Sequence, residues 1–151
     1  QHPAVVNLER TNLGDDRLLS LEPPPTIGSV DLSYLSLQKA VPQFREIMQA
    51  QGELVCLVKP LFEIESAQAR RTGTMSDSEY EPLLTHLIAT LNAQPMTHVL
   101  QVTHSHVTGN HGTREFFVHV AFGEFVSPDL TQAVQNAVTN ALAVERFRKE
   151  R

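Results

Sequence analysis

The sequence predicts a single α/β domain, and three observations support this. Short apolar runs typical of strands alternate along the chain with longer segments in which apolar residues recur at helical spacing. The length of 151 residues suits one domain with a core of its own. Three of the strand-like runs end or begin at a charged residue, namely Asp31, Lys59 and Glu115. Charged residues at strand ends are typical of a site at the edge of a sheet.

The first half of the chain predicts three strands. Residues 4–8 form a short apolar run, residues 27–32 a weaker one, and residues 53–58 a buried strand that ends before Lys59. Between the first two, the segment Glu22-Pro23-Pro24-Pro25 suits neither a helix nor a central strand, because proline lacks a backbone donor. We therefore expect an extended connector there.

Two helices are predicted around the third strand. Ser36 fits the N-cap of a helix that runs to about residue 49, and Pro42 is expected to kink this helix or delay its start. The second helix is predicted over residues 78–91, after a polar, loop-like segment at 64–78. Apolar residues with a 3.6 period support both helices: Leu37, Ala40, Val41, Phe44, Ile47 and Met48, and then Tyr80, Leu83, Leu84, Leu87, Ile88 and Leu91.

The second half predicts an antiparallel hairpin followed by a helix. Strands over 97–103 and 115–121 flank a turn-rich loop at 108–113. Ser127-Pro128-Asp129 combines an N-cap, a first-turn proline and an acid at the positive end of the helix dipole. This helix should run to about residue 148, ending among Arg146, Arg148 and Lys149. Its apolar face either packs on its own sheet or forms a contact in a homodimer, and the sequence leaves both open.

Composition narrows the class of protein. The formal net charge is 12 − 17 = −5, a poor match to a protein that holds RNA by itself, since phosphate binding needs clustered basic residues. The single cysteine, Cys56, excludes an internal disulfide and lies in an apolar run, so we expect it in the core. No signal peptide or membrane-length apolar run is visible, so a cytoplasmic protein without a membrane partner is expected. Because the chain begins at Gln1, we expect it to be part of a longer product.

Four motifs in order carry a resemblance to a known family. They are Asp-Leu-Ser-Tyr-Leu-Ser-Leu at 31–37, Leu-Val-Lys-Pro-Leu-Phe-Glu at 57–63, Gly-x-x-Gly-x-x-Glu-Phe at 109–116, and the segment 5–12 that precedes them. Together they resemble the hemolysin A-like (TlyA) family of FtsJ-like, S-adenosylmethionine-dependent ribosomal RNA 2′-O-methyltransferases. The resemblance covers about residues 4–121.

The resemblance implies a fold, a cofactor and a partner. It implies a Rossmann-like methyltransferase sheet, incomplete at its N-terminal half, with a C-terminal antiparallel hairpin and an extra terminal helix. Residues 1–126 would be the C-terminal part of the methyltransferase domain, and 127–151 a helical extension. The cofactor would be S-adenosylmethionine, contacted here by Asp31, while the glycine-rich loop lies upstream. Ribosomal RNA or a ribosomal subunit would be bound through an upstream RNA-binding domain.

The resemblance also implies a Lys-Asp-Lys-Glu catalytic set, of which Asp31, Lys59 and Glu115 match the last three members. Lys59 would accept the proton of a ribose hydroxyl if burial favours its neutral form, or steer the oxygen as a cation, while the two acids orient it. Residue types alone favour a structural Asp31–Lys59 ion pair instead. The alternative function is a degenerate, non-catalytic domain of the same fold that binds RNA or protein.

Other polar residues are expected to be solvated. Arg70 and Arg71 lie in the 64–78 segment, where we expect them to be solvated rather than to contact phosphate. Two histidines spaced by two residues can share a strand face, as metal ligands do, but no cysteine or nearby acid completes a ligand set, so no metal site is expected. The clustered histidines are His98, His104, His106, His111 and His119.

Overall fold

A computed structural model describes residues 2–64, 71–109 and 112–146, and it shows a mixed α/β fold. A four-stranded sheet has the order β1-β2-β4-β3, with β1 parallel to β2 and β4 antiparallel to both of its neighbours. The strands are β1 Ile27–Val30, β2 Gly52–Val58, β3 Thr97–His104 and β4 Phe116–Phe122. The helices are α1 Leu37–Ile47, α2 Pro60–Glu63, α3 Tyr80–Asn92 and α4 Thr131–Ala143, with 3₁₀ turns at Asp16–Ser20 and Asp77–Glu79. The α/β class and the β3–β4 hairpin predicted from the sequence are confirmed.

One hydrophobic core joins the sheet to α1, α3 and α4. Alternate residues of β2 and β4 face the helices, as expected for a sheet that is covered on that face. The buried face of α4 belongs to the same core, so this face packs on its own sheet, the first of the two options that the sequence left open. The largest fully buried side chains are Phe116, Phe122, Leu37, Leu54, Leu84, Leu87 and Leu91.

Helix α1 contains Pro42 and nevertheless continues to Ile47. Proline has no N–H, so the carbonyl of Gln38, four residues earlier, loses its helical donor. The side-chain amide of Gln94 donates to that carbonyl at 3.1 Å. A residue remote in sequence thus satisfies the carbonyl that Pro42 leaves free, and the predicted helix is confirmed.

The turn between α1 and β2 depends on Gly52, whose φ is +93°. A Cβ atom at this position would collide with the backbone carbonyl of Thr26. Both the left-handed conformation and the close approach of β1 therefore require glycine. This turn starts β2 in register beside β1, with Ile27 opposite Glu53.

Three predictions of element position are wrong. The last helix does not start at Ser127-Pro128-Asp129: it begins at Thr131 with Leu130 as its N-cap, and Asp129 Oδ1 accepts a hydrogen bond from Thr131 N–H at 2.9 Å. Residues 4–8 form no strand and pair with no strand of the described sheet, and Val5 and Val6 are exposed. The last helix ends at Ala143, short of Arg146, because another cation serves its C-terminus. The buried guanidinium of Arg114 donates to the carbonyls of Leu142 at 3.0 Å and of Val144 at 2.5 Å. Arg148 and Lys149 lie outside the described residues.

Candidate active site

The sheet brings all three sequence-predicted site residues to one edge. Because β1 and β2 are parallel, with Val30 opposite Cys56, Asp31 and Lys59 both follow the carboxyl end of a strand. Strand β4 runs the other way and begins opposite Val58, so Glu115, which precedes it, lies at the same edge. The strand-end pattern in the sequence is therefore realised in three dimensions.

Lys59 is held by two polar groups. Its Nζ forms an ion pair with Oδ1 of Asp31 and donates to the hydroxyl of Ser33 at 3.4 Å. The Lys59 side chain is 21% exposed and that of Asp31 is 68% exposed. Most of the Lys59 side chain is therefore buried, while the side chain of its carboxylate partner faces solvent.

Glu115 lies across the same cleft as Lys59. The cleft has a volume of about 470 Å³ and is also lined by Ser33, Tyr34 and Arg71. Partial burial raises the pKa of Glu115; the positive charge of Lys59 opposes this shift and the negative charge of Asp31 adds to it. These electrostatic effects couple all three charged residues in one site. Arg70, the other arginine considered from the sequence, lies outside the described residues.

The glycine motif before Glu115 has a steric reason. A Cβ atom on Gly109 would overlap the carboxylate of Glu115 and lie 2.8 Å from the Thr113 hydroxyl. Gly112 adopts a φ of +73°, a conformation that disfavours other residues. Gly109 thus allows a close approach to the Glu115 carboxylate, while Gly112 supplies a left-handed backbone conformation beside Arg146.

Glu63 is a residue of this region to which the sequence analysis gave no role. It lies at the end of the one-turn helix α2, which begins directly after Lys59. Its Oε1 accepts a hydrogen bond from the backbone N–H of Leu37 at 2.8 Å, and within the described structure its buried Oε2 has no partner. Burial raises its pKa to about 7, against the effect of the Leu37 hydrogen bond. An acid inside the otherwise apolar run 60–64 was the signal available in the sequence.

Tyr34 separates two clefts. Its ring is 91% exposed, its φ is +70°, and its centroid lies 5.3 Å from that of Phe62. It lines both the cleft of Lys59 and a second cleft of about 490 Å³, which Lys39, His86 and Glu63 also border. A tyrosine in this backbone region is uncommon and strained, which marks the 31–36 segment as one held in place by its surroundings.

The remaining candidates have structural explanations. Cys56 is fully buried, and burial raises its pKa to about 12, so it is a core residue. His98 contacts the Ser127 hydroxyl at 3.0 Å and His119 contacts Glu53 at 2.7 Å, while the rings of His104 and His106 pack together. His111 is outside the described ranges. Across residues 2–64, 71–109 and 112–146, no group of three or more potential ligands is placed to hold a metal ion.

None of the helices in the described part of the chain combines the length and the apolar character that a membrane crossing requires.

No family model matches the chain. The "Putative rRNA methyltransferase YqxC" of Bacillus subtilis is 25% identical over 121 residues, which cover 80% of this chain and 43% of that protein. The structure of a "Putative hemolysin from Streptococcus thermophilus" has a TM-score of 0.70 and 27% identity, covering 80% of this chain and 44% of the other. A putative hemolysin from Lactococcus lactis, 24% identical with a TM-score of 0.65 over 78% of this chain and 59% of the other, shares the fold.

The chain thus spans less than half the length of the Bacillus subtilis relative. The two comparisons at or above 25% identity cover about the same share of the chain and agree with the hemolysin-like resemblance of its motifs. The chain is similar in sequence and fold to one part of proteins named for rRNA methylation and for hemolysin.

Proposed function

We propose that this chain is the C-terminal part of the catalytic domain of an S-adenosylmethionine-dependent ribosomal RNA 2′-O-methyltransferase. The observation that carries the proposal is the Asp31–Lys59 pair facing Glu115 across one open cleft. The similarity to a protein named as an rRNA methyltransferase supports the same class of reaction. The solvent-exposed ring of Tyr34 beside the cleft suits a ligand with unpaired bases.

The residues present fit the positively charged sulfonium group of the proposed cofactor. Asp31 and Glu115 offer carboxylate oxygens to a positively charged sulfonium, and the Asp31 side chain is open to solvent. When bound, S-adenosylmethionine supplies a methyl group on that charged sulfur. Asp31 is the contact predicted within this chain, and the described residues contain no glycine-rich turn joining a strand to a helix. We propose that the remaining cofactor contacts come from outside this chain.

The chemistry follows from the polar groups of the cleft. A ribose hydroxyl is a weak nucleophile, so its proton must leave during attack and its oxygen must be held in line. In the proposed reaction Lys59 first releases a proton to solvent; its neutral Nζ then accepts the hydroxyl proton, and the adjacent Asp31 carboxylate stabilises the ammonium that forms again. Glu115 lines the same cleft, and in the proposed reaction its carboxyl group helps to orient the reacting group and balances the charge of Lys59.

The test is methyl transfer by the full-length protein to ribosomal subunits, with labelled cofactor and mapping of the modified ribose. Lys59→Ala should lower the rate by about 100-fold or more, the scale of general-base catalysis, without loss of fold. Lys59→Arg should fail as well, because a guanidinium does not release its proton near neutral pH. His119→Gln, on a histidine paired with Glu53 on the sheet, serves as the matched control and should retain activity.

Two outcomes would contradict parts of the proposal. Wild-type protein that transfers no methyl group to any ribosomal substrate would favour the non-catalytic alternative, which the net charge of −5 also suits. Full activity in Lys59→Ala would leave the enzyme class standing but remove Lys59 as the base.

A further inference from the structure

The relative position of Asp31 and Lys59 depends on two short connecting segments. Asp31 and Ser33 belong to the segment between β1 and α1, and Lys59 stands between β2 and the single turn of α2. Strand pairing fixes Val30 and Val58, the residues directly before Asp31 and Lys59, but the backbone that follows each of them leaves the sheet, and Tyr34 adds a strained φ of +70° to the first segment. A contact between the two segments would therefore restrict the geometry of the ion pair further.

Glu63 supplies such a contact. Leu37 begins α1, so its N–H has no partner inside the helix, and the side chain of the N-cap residue Ser36 makes no capping bond. The Glu63 carboxylate takes that place from α2 at 2.8 Å, where the positive end of the α1 dipole favours an anion. Phe62 N–H bonds to the Lys59 carbonyl at 2.9 Å, so Lys59 and Glu63 are tied to one turn of backbone.

The contact is made at a cost to folding. Glu63 is largely enclosed, and Oε2 is buried without a hydrogen-bond partner among the described residues. A buried, half-partnered carboxyl opposes folding, so stability alone does not explain an acid here. Its placement between the two catalytic segments does explain it.

We propose that Glu63 is a positioning residue whose carboxylate clips α2 to the start of α1 and thereby holds Lys59 against Asp31 and Ser33. The catalytic meaning of the clip rests on the proposed methyl transfer, whereas the clip itself is measurable without any activity. Neither Asp31 nor Lys59 contacts Glu63 in the hydrogen bonds and ion pairs of the described chain; the effect passes through the backbone of α2 and through Leu37.

The first experiment measures Lys59 directly. The full-length protein is treated with a trace amount of acetic anhydride at pH 8, and the acylation rate of Lys59 is followed by peptide mass spectrometry. Glu63→Ala should raise that rate about 2- to 30-fold, the range equivalent to losing a helix N-cap, because Lys59 is released from its ion pair more often. Glu63→Gln keeps an acceptor for Leu37 N–H and should return the rate to within about twofold of wild type.

The matched control is Glu79→Ala. Glu79 also caps a backbone N–H with its carboxylate, that of Ser76 at 2.7 Å, but it does so at an exposed site outside both clefts. Its removal should leave Lys59 acylation unchanged. Amide hydrogen exchange at Leu37 gives a second reading, which should be faster in Glu63→Ala and restored in Glu63→Gln. An unchanged Lys59 acylation rate in folded Glu63→Ala overturns the clip. If that variant does not fold, Lys59 acylation in Glu63→Gln well above the wild-type rate overturns it.

Methyl transfer separates this inference from the proposed function. Glu63→Ala should lower kcat about tenfold with little change in KM for RNA, since the substrate surface is intact, and Glu63→Gln should restore it. If Glu63→Ala raises Lys59 acylation but the wild-type protein transfers no methyl group, the positioning role of Glu63 is supported and the proposed function is contradicted. If methyl transfer depends on Lys59 but Glu63→Ala changes neither kcat nor Lys59 acylation, the proposed function is supported and the positioning role of Glu63 is contradicted.

Discussion

Arg114 and Glu63 do the same physical task at two helix ends, and each leaves one buried polar atom, Nε and Oε2 respectively, without a hydrogen-bond partner among the described residues. Arg114 places a buried cation at the C-terminus of α4, where two of its nitrogens donate to the carbonyls of Leu142 and Val144. Glu63 places a carboxylate at the N-terminus of α1, where one oxygen accepts the N–H of Leu37 and the other has no partner among residues 2–64, 71–109 and 112–146. Both charges have the sign that the helix dipole prefers. The two differ in the number of groups that they cap and in their position: Arg114 caps two carbonyls at the end of the last helix, whereas Glu63 caps one N–H and borders a cleft beside Tyr34. Position relative to the clefts, rather than an unpartnered buried atom, therefore separates the structural ion from the candidate functional one.

The same contrast holds for two residues adjacent in sequence. Arg114 is buried, with 4% of its surface exposed, and points to α4. Glu115 lines the Lys59 cleft, and its pKa is raised by burial. Arg114 therefore anchors the last helix, while Glu115 lines the candidate site. The loop before β4 thus connects the hydrophobic core to that site.

The largest expected effect is at Arg114. Arg114→Met should lower the free energy of unfolding by about 3 kcal/mol, because two helix-end carbonyls lose their donors in a buried place. Urea unfolding followed by circular dichroism measures this change. Arg45→Met is the control: Arg45 also donates to a backbone carbonyl, that of Pro95 at 2.9 Å, but in an exposed bond, so the loss should stay below about 1 kcal/mol. Equal losses in the two variants would show that Arg114 is not the anchor of α4.

Sequence periodicity predicted the elements but not these anchors. The α1 and α3 patterns and the β3–β4 hairpin follow from local apolar spacing, which one sequence displays. Arg114 meets α4 about 30 positions away and Glu63 meets Leu37 26 positions away, so no local pattern reports either contact. The end of α4 was misjudged for this reason, since basic residues after Ala143 suggested a cation that Arg114 already provides.

The candidate site was partly visible in the sequence because charges at strand ends are local signals. Asp31, Lys59 and Glu115 were placed by their positions beside strands, and the structure brings them to one edge. Their catalytic roles stay a prediction. The order of β4 between β2 and β3, which brings Glu115 there, depends on tertiary pairing that the pattern of apolar residues does not specify.

The next effect is pH-dependent and concerns Glu63. Its pKa in the folded protein is about 7, above the usual 4.5, so the folded state holds a proton that the unfolded state releases between these values. The stability contributed by this group is therefore complete below about pH 4.5, falls as pH rises towards 7, and is lost above it. Glu63→Gln cannot ionise, and it should be more stable than wild type by about 3 kcal/mol at pH 8, with little difference at pH 4.5.

Urea unfolding at a series of pH values tests this prediction, with Glu79→Gln as the control at an exposed cap. A constant difference between wild type and Glu63→Gln across the series would mean that Glu63 does not titrate as its burial requires. A difference that grows in acid instead would assign it the opposite, depressed pKa.

The smallest expected effect concerns a backbone carbonyl inside a helix whose partner comes from a residue distant in sequence. Gln94 donates to the Gln38 carbonyl that Pro42 deprives of its helical donor. Gln94→Ala should therefore lower the free energy of unfolding by about 1 kcal/mol. In a Pro42→Ala background the new N–H of residue 42 can bond to the same carbonyl, so the same Gln94→Ala change should lose most of its effect. A double-mutant cycle in urea measures this coupling, and additive losses would show that Gln94 stabilises α1 by packing rather than by replacing the missing donor.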